Sequence, residues 1–299
     1  MELTPILQKT LEIGGSDVFL IPGSPATAKV KGHMVALTEE RVQPADTRKM
    51  IAEAYSMSLD HTEETLQREG DDDFSFSLQN LARFRCNAYK QRGTLAATFR
   101  LVAFGLPDPR KLNIPQMVTG LTDSCRSGMI LVTGPAGSGK STTLACMVDQ
   151  INEERDVHII TIEDPIEYLH PHKRALVSQR EIPGDACSFA RALRAAMREA
   201  PDVIMLGEMR DYETIQTALT AAETGHLLLS SLHTVGAAKT IDRIIDIFPA
   251  NQQQQVRIQL SMVLQAVISQ RLVPTVDGGQ IPVFEMMTVT PAIQNMIRD

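Results

Sequence analysis

Hydrophobic and polar positions follow two different rhythms along the chain. The first hundred or so residues combine short segments with apolar positions at helical spacing and short segments that alternate apolar and polar residues. This pattern predicts helices over 3–13, 44–56 and 60–68 and strands over 17–21, 27–31, 74–78, 82–89 and 94–101. The first part of the chain therefore mixes short helices with a strand meander.

From about residue 116, short aliphatic runs alternate with longer helical segments. The runs predict strands over 129–133, 157–162, 203–206 and 227–231. The remaining segments predict helices from 141, over 185–199 and over 211–223, and only helices after 231. Buried aliphatic strands that alternate with helices are typical of an α/β domain built on a mostly parallel sheet.

A short segment rich in proline separates the two parts. Two prolines and one glycine lie within residues 105–109, a composition that favours a turn or linker. We therefore expect an N-terminal domain over residues 1–103, a linker over 104–115 and a C-terminal domain over 116–299. The length of 299 residues agrees with two domains, because domains usually contain about 100–200 residues.

Composition and charge argue against several classes of protein. The chain carries 36 acidic and 29 basic residues, a net charge of −7, and 4% aromatic residues, which disfavours nucleic acid as a partner. No run of about 18 apolar residues predicts a transmembrane helix, and the N-terminus lacks the basic flank of a signal peptide. The cysteines lie too far apart for a zinc ribbon, at Cys86, Cys125, Cys146 and Cys187. We expect a cytoplasmic protein with reduced thiols.

The segment Gly134–Ser141 matches the phosphate-binding pattern G-x-x-x-x-G-K-[ST] and lies between a predicted strand and a predicted helix. Its glycines let backbone N–H groups turn toward phosphate oxygens, Lys140 reaches the β- and γ-phosphates, and the Ser141 hydroxyl binds Mg²⁺. Because no guanine-reading N-K-x-D motif follows, we expect ATP rather than GTP. The expected binding residues are Gly134, Pro135, Ala136, Gly137, Ser138, Gly139, Lys140, Ser141 and Thr142.

Two carboxylates follow aliphatic strands of the C-terminal part. Glu163 follows the predicted strand over 157–162, and Glu208 follows the strand over 203–206. Ligands bind at the carboxyl ends of strands in open α/β sheets, although acidic residues at strand ends also serve as solvated caps. Hydrolysis requires a bound metal and an oriented water. We therefore hypothesise that Glu163 polarises the attacking water and that Glu208 supports Mg²⁺, directly or through water.

Four segments resemble, in order, the signature boxes of the secretion ATPase superfamily, which drives type II secretion and type IV pili. GPAGSGKSTT at 134–143 resembles its Walker A box, TIEDPIEY at 161–168 its Asp box, PDVIMLGEMRD at 201–211 its Walker B box and ETGHLLLSSLHT at 223–234 its His box. The segments ALTAAETGHL, AAKTIDRIID and AVISQRL are similar to the pilus-retraction branch, and the four-cysteine zinc insertion of extension ATPases is missing. The ending TPAIQNMIRD also resembles that branch, with Gln294 and Asp299 in place of its usual Arg and Glu.

The resemblance implies a homohexamer of subunits with a PAS-like α+β N-terminal domain and a RecA-like P-loop NTPase C-terminal domain. It also implies that ATP binds between the domains and that arginines of the N-terminal domain contact its phosphates. Arg85 and Arg100 match the expected positions, and Arg83 is a weaker candidate. A guanidinium group stabilises charge on phosphates. The alternative is that these arginines are solvated or pair with Asp71, Asp72 or Asp73.

Two histidines flank the predicted strand over 227–231. A histidine beside a buried strand is more often a structural residue than a catalyst, although hydrogen bonding could let it report the state of the γ-phosphate. The resemblance implies a functional role for both. It makes His226 a nucleotide-binding residue and His233, at the carboxyl end of the strand, a catalytic residue.

Together with the phosphate-binding motif, the resemblance implies a hexameric, cytoplasmic Mg-ATPase that powers pilus retraction and twitching motility. The resemblance implies that it works at the inner face of the cytoplasmic membrane, through an inner-membrane platform protein of the pilus. A pilus extension or type II secretion ATPase is the alternative within this class. A nucleotide-gated regulatory module without significant turnover is the alternative from another class, and such a module would not need both Glu163 and Glu208. The acidic charge argues against a DNA-translocating motor.

Overall fold

The computed structural model describes residues 1–58, 61–78, 82–102, 105–276 and 279–299. It divides the chain into two compact units, Met1–Phe104 and Gly105–Asp299. Residue 60, where a helix is predicted to begin, and residues 103 and 104, where the predicted domain ends and the linker begins, lie outside the described residues. The domain limits at 103 and 115 stay predictions.

The first unit is an antiparallel sheet accompanied by helices. Its elements are α1 (Leu3–Glu12), β1 (Asp17–Leu20), β2 (Pro25–Val30), β3 (His33–Arg41), α2 (Pro44–Met57), α3 (Glu63–Glu69), β4 (Asp71–Leu78), β5 (Ala82–Gln91) and β6 (Thr94–Val102). The strands lie in the order β3-β2-β1-β6-β5-β4, and neighbouring strands pair antiparallel. This mixture confirms the α+β class predicted for the N-terminal part.

Hydrophobic side chains from the helices and from one face of the sheet form the core of the first unit. Leu3 and Leu7 lie one turn apart on α1 and are fully buried. β4 and β5 alternate buried with more exposed residues, as expected for strands with one face on a core. The ring of Phe99 on β6 is fully buried and meets Phe76 edge-on, with 6.0 Å between ring centroids.

The second unit is a mostly parallel sheet between layers of helices. Its elements are α4 (Gln116–Thr119), α5 (Leu121–Ser124), β7 (Gly128–Thr133), α6 (Lys140–Glu154), β8 (His158–Glu163), β9 (Leu176–Glu181), α7 (Phe189–Ala196), β10 (Val203–Leu206), α8 (Tyr212–Glu223), β11 (Leu227–Leu232), α9 (Ala237–Asp246), α10 (Ala250–Val263), β12 (Leu264–Pro274), β13 (Gln280–Thr288) and α11 (Pro291–Arg298). The strands lie in the order β13-β12-β7-β11-β10-β8-β9, and only β12 and β13 pair antiparallel among the described residues. This arrangement confirms the predicted α/β class.

The central strand β7 contributes to a core on each face of the sheet. Met129 and Leu131 pack in a cluster with α7 to α11, whereas Ile130 and Val132 pack in a cluster with α4 and α6. Burial on both faces explains why β7 is a continuous aliphatic run. No helix in the described parts of the chain has the length and hydrophobicity needed to span a bilayer.

The prediction of helices alone after residue 231 is wrong, because β12 and β13 lie between α10 and α11. The first half of β12 is almost entirely buried, and periodicity does not distinguish a short apolar run of this kind from a buried helix. The edge strands β3, β9 and β13 were also not predicted. Their residues are largely polar or exposed, which leaves little alternation to detect.

Replacing Phe99 with alanine should lower the free energy of unfolding of the first unit by about 3–5 kcal/mol, because it empties a fully buried position. Urea denaturation followed by circular dichroism measures this change. Met34→Ala is the control, since Met34 is 63% exposed, and it should cost less than about 0.5 kcal/mol. An equally small loss for Phe99→Ala would contradict the packing of this core.

Candidate nucleotide-binding site

The loop between β7 and α6 contains the predicted phosphate-binding segment, and its glycines adopt left-handed conformations. Gly134 has a φ of +150°, and Gly139, which precedes the first residue of α6, has a φ of +86°. A Cβ at Gly134 would lie 2.2 Å from the backbone oxygen of Gln270 on β12, so a side chain there would displace backbone. The loop leads directly into the N-terminus of α6, whose free N–H groups favour anions.

Lys140 is buried and bonds to its own loop. Its Nζ donates to the backbone oxygens of Gly134 and Pro135, at 3.1 and 3.0 Å. Burial lowers the pKa of Lys140, while the carboxylates of Glu208 and Glu167 oppose this effect by favouring the charged ammonium. A phosphate that entered the loop would replace these carbonyl oxygens as partners of Nζ.

A cavity of about 240 Å³ lies beside the loop. Its lining contains predicted loop residues and all the predicted catalytic side chains of this unit: Ala136, Gly137, Lys140, Ser141, Glu163, Glu208 and His233. The fold therefore brings together groups that are far apart in sequence. Their individual roles stay predictions.

Glu163 is the last residue of β8 and is only 8% exposed. Its Oε1 accepts hydrogen bonds from Thr161 Oγ1 at 2.7 Å and from Gln179 Nε2 at 3.1 Å. Burial raises the pKa of Glu163 to about 7, although these two hydrogen bonds favour the charged form. A carboxyl group with a pKa near neutral pH is suited to act as a general base.

Glu208 follows β10 and has two partners. Its Oε1 lies 2.6 Å from Arg210 Nη2, and its Oε2 lies 3.2 Å from Nε2 of His233. His233 follows β11, the parallel neighbour of β10, and its side chain is half exposed. The carboxylate therefore joins the ends of two adjacent strands at the cavity.

Two residues after β8 contact the first turn of α6. Ser141 Oγ donates to Glu167 Oε1 at 3.1 Å, and the hydroxyls of Thr142 and Tyr168 lie 3.0 Å apart. The hydroxyl that the motif assigns to Mg²⁺ thus binds a carboxylate here. Neither Glu167 nor Tyr168 was predicted as a site residue, although both lie within the Asp-box segment at 161–168.

Gln270 on β12 is a further contact that the sequence analysis misses. It is 2% exposed, and its Oε1 accepts a hydrogen bond of 2.7 Å from Thr143 Oγ1 on α6. Its Nε2 lies 2.9 Å from the place of a Cβ on Gly139. With its backbone oxygen beside Gly134, Gln270 supports both ends of the phosphate loop.

The structure places His226 away from the phosphate loop. The N–H of Gly128, which begins β7, donates to the backbone oxygen of His226 at 3.0 Å, whereas the loop follows the other end of β7. His226 Nδ1 lies 2.9 Å from the backbone oxygen of Ala221 and 3.1 Å from Thr224 Oγ1, at the end of α8. Within this unit, His226 therefore lies at the opposite end of β7 from the phosphate loop, and its contact with a nucleotide stays a prediction.

The two predicted arginines of the first unit lie opposite each other, Arg85 on β5 and Arg100 on β6. Arg85 Nε is 3.5 Å from Asp73 Oδ1, and Arg100 Nε donates to Asp17 Oδ1 at 2.8 Å. Pairing of Arg85 with Asp73 is one of the alternatives that the sequence left open. Both arginine side chains are exposed, and their contact with phosphates stays a prediction.

Ser141 and Glu208 fit a magnesium site in which nucleotide phosphates and water supply most of the ligands. Among the described residues, no group of three His, Cys, Asp or Glu side chains could hold a metal alone. Mg²⁺ commonly takes one or two protein oxygens together with substrate phosphates and water. A hydroxyl and a carboxylate that line one cavity can supply these oxygens.

Comparisons with known proteins find one family and several similar proteins. Residues 96–295 match the family described as "Type II/IV secretion system protein". The chain is 44% identical over 299 residues to the "Type IV pilus retractation ATPase PilT" of Pseudomonas aeruginosa, covering 100% of this chain and 86% of that protein. It is 47% identical over 272 residues to a "Twitching motility protein" of Neisseria gonorrhoeae, covering 91% of this chain and 72% of that protein. It superposes on the "Crystal Structure of the Pilus Retraction Motor PilT and Bound ADP" with a TM-score of 0.93 and 48% identity. The match covers 100% of this chain and 86% of that chain.

Replacing Gln270 with leucine should weaken the binding of ADP about tenfold, or about 1.4 kcal/mol, because buried Thr143 loses its acceptor and the loop loses its support. Titration with a fluorescent ADP analogue measures the affinity. Gln265→Leu is the matched control, since Gln265 lies on the same strand beside Gly128, at the other end of β7. Equal affinities for the two variants would contradict the role of Gln270.

Proposed function

This chain belongs to the type II/IV secretion system protein family, and we propose that it hydrolyses ATP to power the retraction of type IV pili. One observation carries the proposal: the phosphate loop, Glu163 and Glu208 line one cavity in a chain that resembles a pilus retraction motor over its full length. A twitching motility protein is among its relatives, which is consistent with the same activity.

Nucleotide binding begins at the phosphate loop. Lys140 exchanges its carbonyl partners for the β- and γ-phosphates, and the N-terminus of α6 adds positive potential. The cavity also contains the carboxylates of Glu163, Glu167 and Glu208, which repel a bare triphosphate once they are ionised. A divalent cation offsets this repulsion, and Ser141 and Glu208 are the side chains that would hold Mg²⁺.

Hydrolysis then needs a base near the γ-phosphate. Glu163 accepts a proton from a water whose oxygen bonds to the γ-phosphorus, while the bond to the bridging oxygen breaks and its electron pair leaves with ADP. Mg²⁺, when bound, neutralises charge that develops on the phosphates. His233 lies beside Glu208, and its hydrogen bond to Oε2 would help to orient this carboxylate.

Assembly and location are finer proposals that rest on family membership. We propose that the subunits form a homohexamer and that the ring acts on a platform protein at the inner face of the cytoplasmic membrane. Arg85 and Arg100 are proposed to contact the phosphates. Their exposure supports this role, because a phosphate can compete with Asp73 and Asp17 for an exposed guanidinium group.

Glu163→Gln should reduce kcat for ATP at least about 100-fold and leave ADP affinity within about threefold, because the amide cannot accept the proton of water.

In the wild type, kcat should rise with pH around a midpoint near 7, since only the ionised carboxylate is a base. Phosphate release measures both effects. Glu64→Gln, on the exposed surface of α3, is the control and should match the wild type. Unchanged turnover in Glu163→Gln would exclude Glu163 as the base, and absence of turnover in the wild type would favour a regulatory module.

Deletion of the gene should leave cells with excess pili and without twitching, because assembled pili would no longer be withdrawn. Pilus counts by electron microscopy and the width of twitching zones measure the result. Expression of the wild-type chain should restore twitching, whereas Glu163→Gln should not. A deletion strain without pili would instead assign the chain to pilus extension.

A further inference from the structure

The antiparallel strands β12 and β13 carry two polar side chains toward the helix α9. Ser269 on β12 and Glu285 on β13 are register partners, so their side chains lie side by side on one face of the sheet. Helix α9 contacts both strands. A hydroxyl and a carboxylate are therefore available to the backbone of this helix.

Both side chains bind the backbone where α9 begins. Ser269 Oγ accepts the N–H of Gly236 at 2.9 Å, and Glu285 Oε1 accepts the N–H of Ala237 at 3.2 Å. Ala237 is the first residue of α9, and Gly236 at the N-cap has no side chain that could serve as a cap. The first N–H groups of a helix have no partner within the helix, so the two strands supply the missing acceptors. The carboxylate also complements the positive end of the helix dipole.

The backbone at Gly236 needs such contacts. Its φ of +88° lies in the left-handed region that L side chains rarely adopt. The two carboxylate oxygens of Glu285 lie 3.8 and 3.9 Å from the place of a Cβ on Gly236. A glycine is free to take many other conformations, so neighbouring groups must select this one.

The segment 233–236, which we call the His233 loop, connects the start of α9 to the nucleotide cavity. His233 lines the cavity, and its Nε2 lies 3.2 Å from Glu208 Oε2. The next residue, Thr234, has its hydroxyl 2.7 Å from that of Thr240, which is fully buried on α9. The position of the first turns of α9 therefore determines where the backbone beside His233 lies.

We propose that Glu285 and Ser269 are positioning residues, which hold the start of α9 so that the His233 loop keeps His233 in contact with Glu208. The residues that line the described cavity do not include either of them, so both act through the loop. This inference rests on the proposed function, in which ATP is hydrolysed at that cavity.

The kinetic test compares Glu285→Ala, which removes the acceptor, with Glu285→Gln, whose amide oxygen can still accept the N–H of Ala237. Glu285→Ala should lower kcat for ATP about tenfold and change KM by less than about threefold, because the phosphate loop is left intact. Glu285→Gln should stay within about threefold of the wild type. Gln280→Ala is the matched control, because Gln280 lies on the same strand opposite Pro274, and it should leave both quantities unchanged.

A double-mutant cycle separates positioning from a general loss of structure. In the background of His233→Ala, Glu285→Ala should change kcat by less than about twofold, because the side chain that it positions is gone. Equal losses in both backgrounds would overturn the proposal, since Glu285 would then act independently of His233. Wild-type kcat in Glu285→Ala or in His233→Ala would overturn it as well. If Glu285→Ala fails to fold, Ser269→Ala takes its place in the cycle, with the same outcomes.

Hydrogen–deuterium exchange of the nucleotide-free protein gives a measurement that does not depend on turnover. Glu285→Ala should speed the exchange of amides in the segment 234–240 at least about tenfold, whereas Gln280→Ala should not. Unchanged exchange would refute the support of α9 by Glu285 and leave the proposed function standing. Absence of ATP turnover in the wild type would instead refute the proposed function, and with it any effect of these residues on hydrolysis.

Discussion

Parallel pairing of β7, β8, β10 and β11 is the constraint on which the site depends. Their carboxyl ends meet at one edge of the sheet, so the phosphate loop, Glu163, Glu208 and His233 each follow or end a different strand at the same place. The strands themselves are almost entirely buried, between clusters of apolar side chains on both faces. The backbone hydrogen bonds of the sheet and this burial therefore determine where the polar groups lie, and the loops complete the arrangement.

The two glutamates of the cavity have the same chemistry but different surroundings. Glu163 is buried among neutral donors, and burial raises its pKa toward neutral pH. Glu208 lies against Arg210 and His233, which supply positive charge or hydrogen-bond donors to both of its oxygens. The first environment suits transfer of a proton, and the second places a carboxylate beside a guanidinium group and an imidazole. The roles proposed for the two residues differ because their neighbours differ, since the residue type is the same.

Features that depend on short stretches of sequence could be predicted. The phosphate loop is a contiguous motif between a strand and a helix, and Glu163 and Glu208 each follow a recognisable aliphatic run. The α+β and α/β classes followed from the same alternation of segments. These signals are local, so they can be recognised without knowledge of the fold.

Contacts made across the sheet could not be predicted. Gln270 binds Thr143 from 127 positions away. It lies within the segment AVISQRL, but nothing in that segment indicates this contact. Gln179 lies on the edge strand β9, which has too little alternation of apolar and polar residues to be recognised as a strand. The first half of β12 is almost entirely buried, so its apolar sequence resembles that of a buried helix. His226 and His233 flank one strand of 6 residues, but only one end of that strand reaches the cavity, about 20 Å from the other.

The hydrogen bonds within the phosphate loop have a consequence for nucleotide binding. Lys140 donates to the backbone oxygens of Gly134 and Pro135, and Ser141 donates to Glu167. An arriving nucleotide gains only the difference between its contacts and those it displaces. The hydrogen bonds within the loop therefore offset part of the free energy that the phosphates gain by binding there.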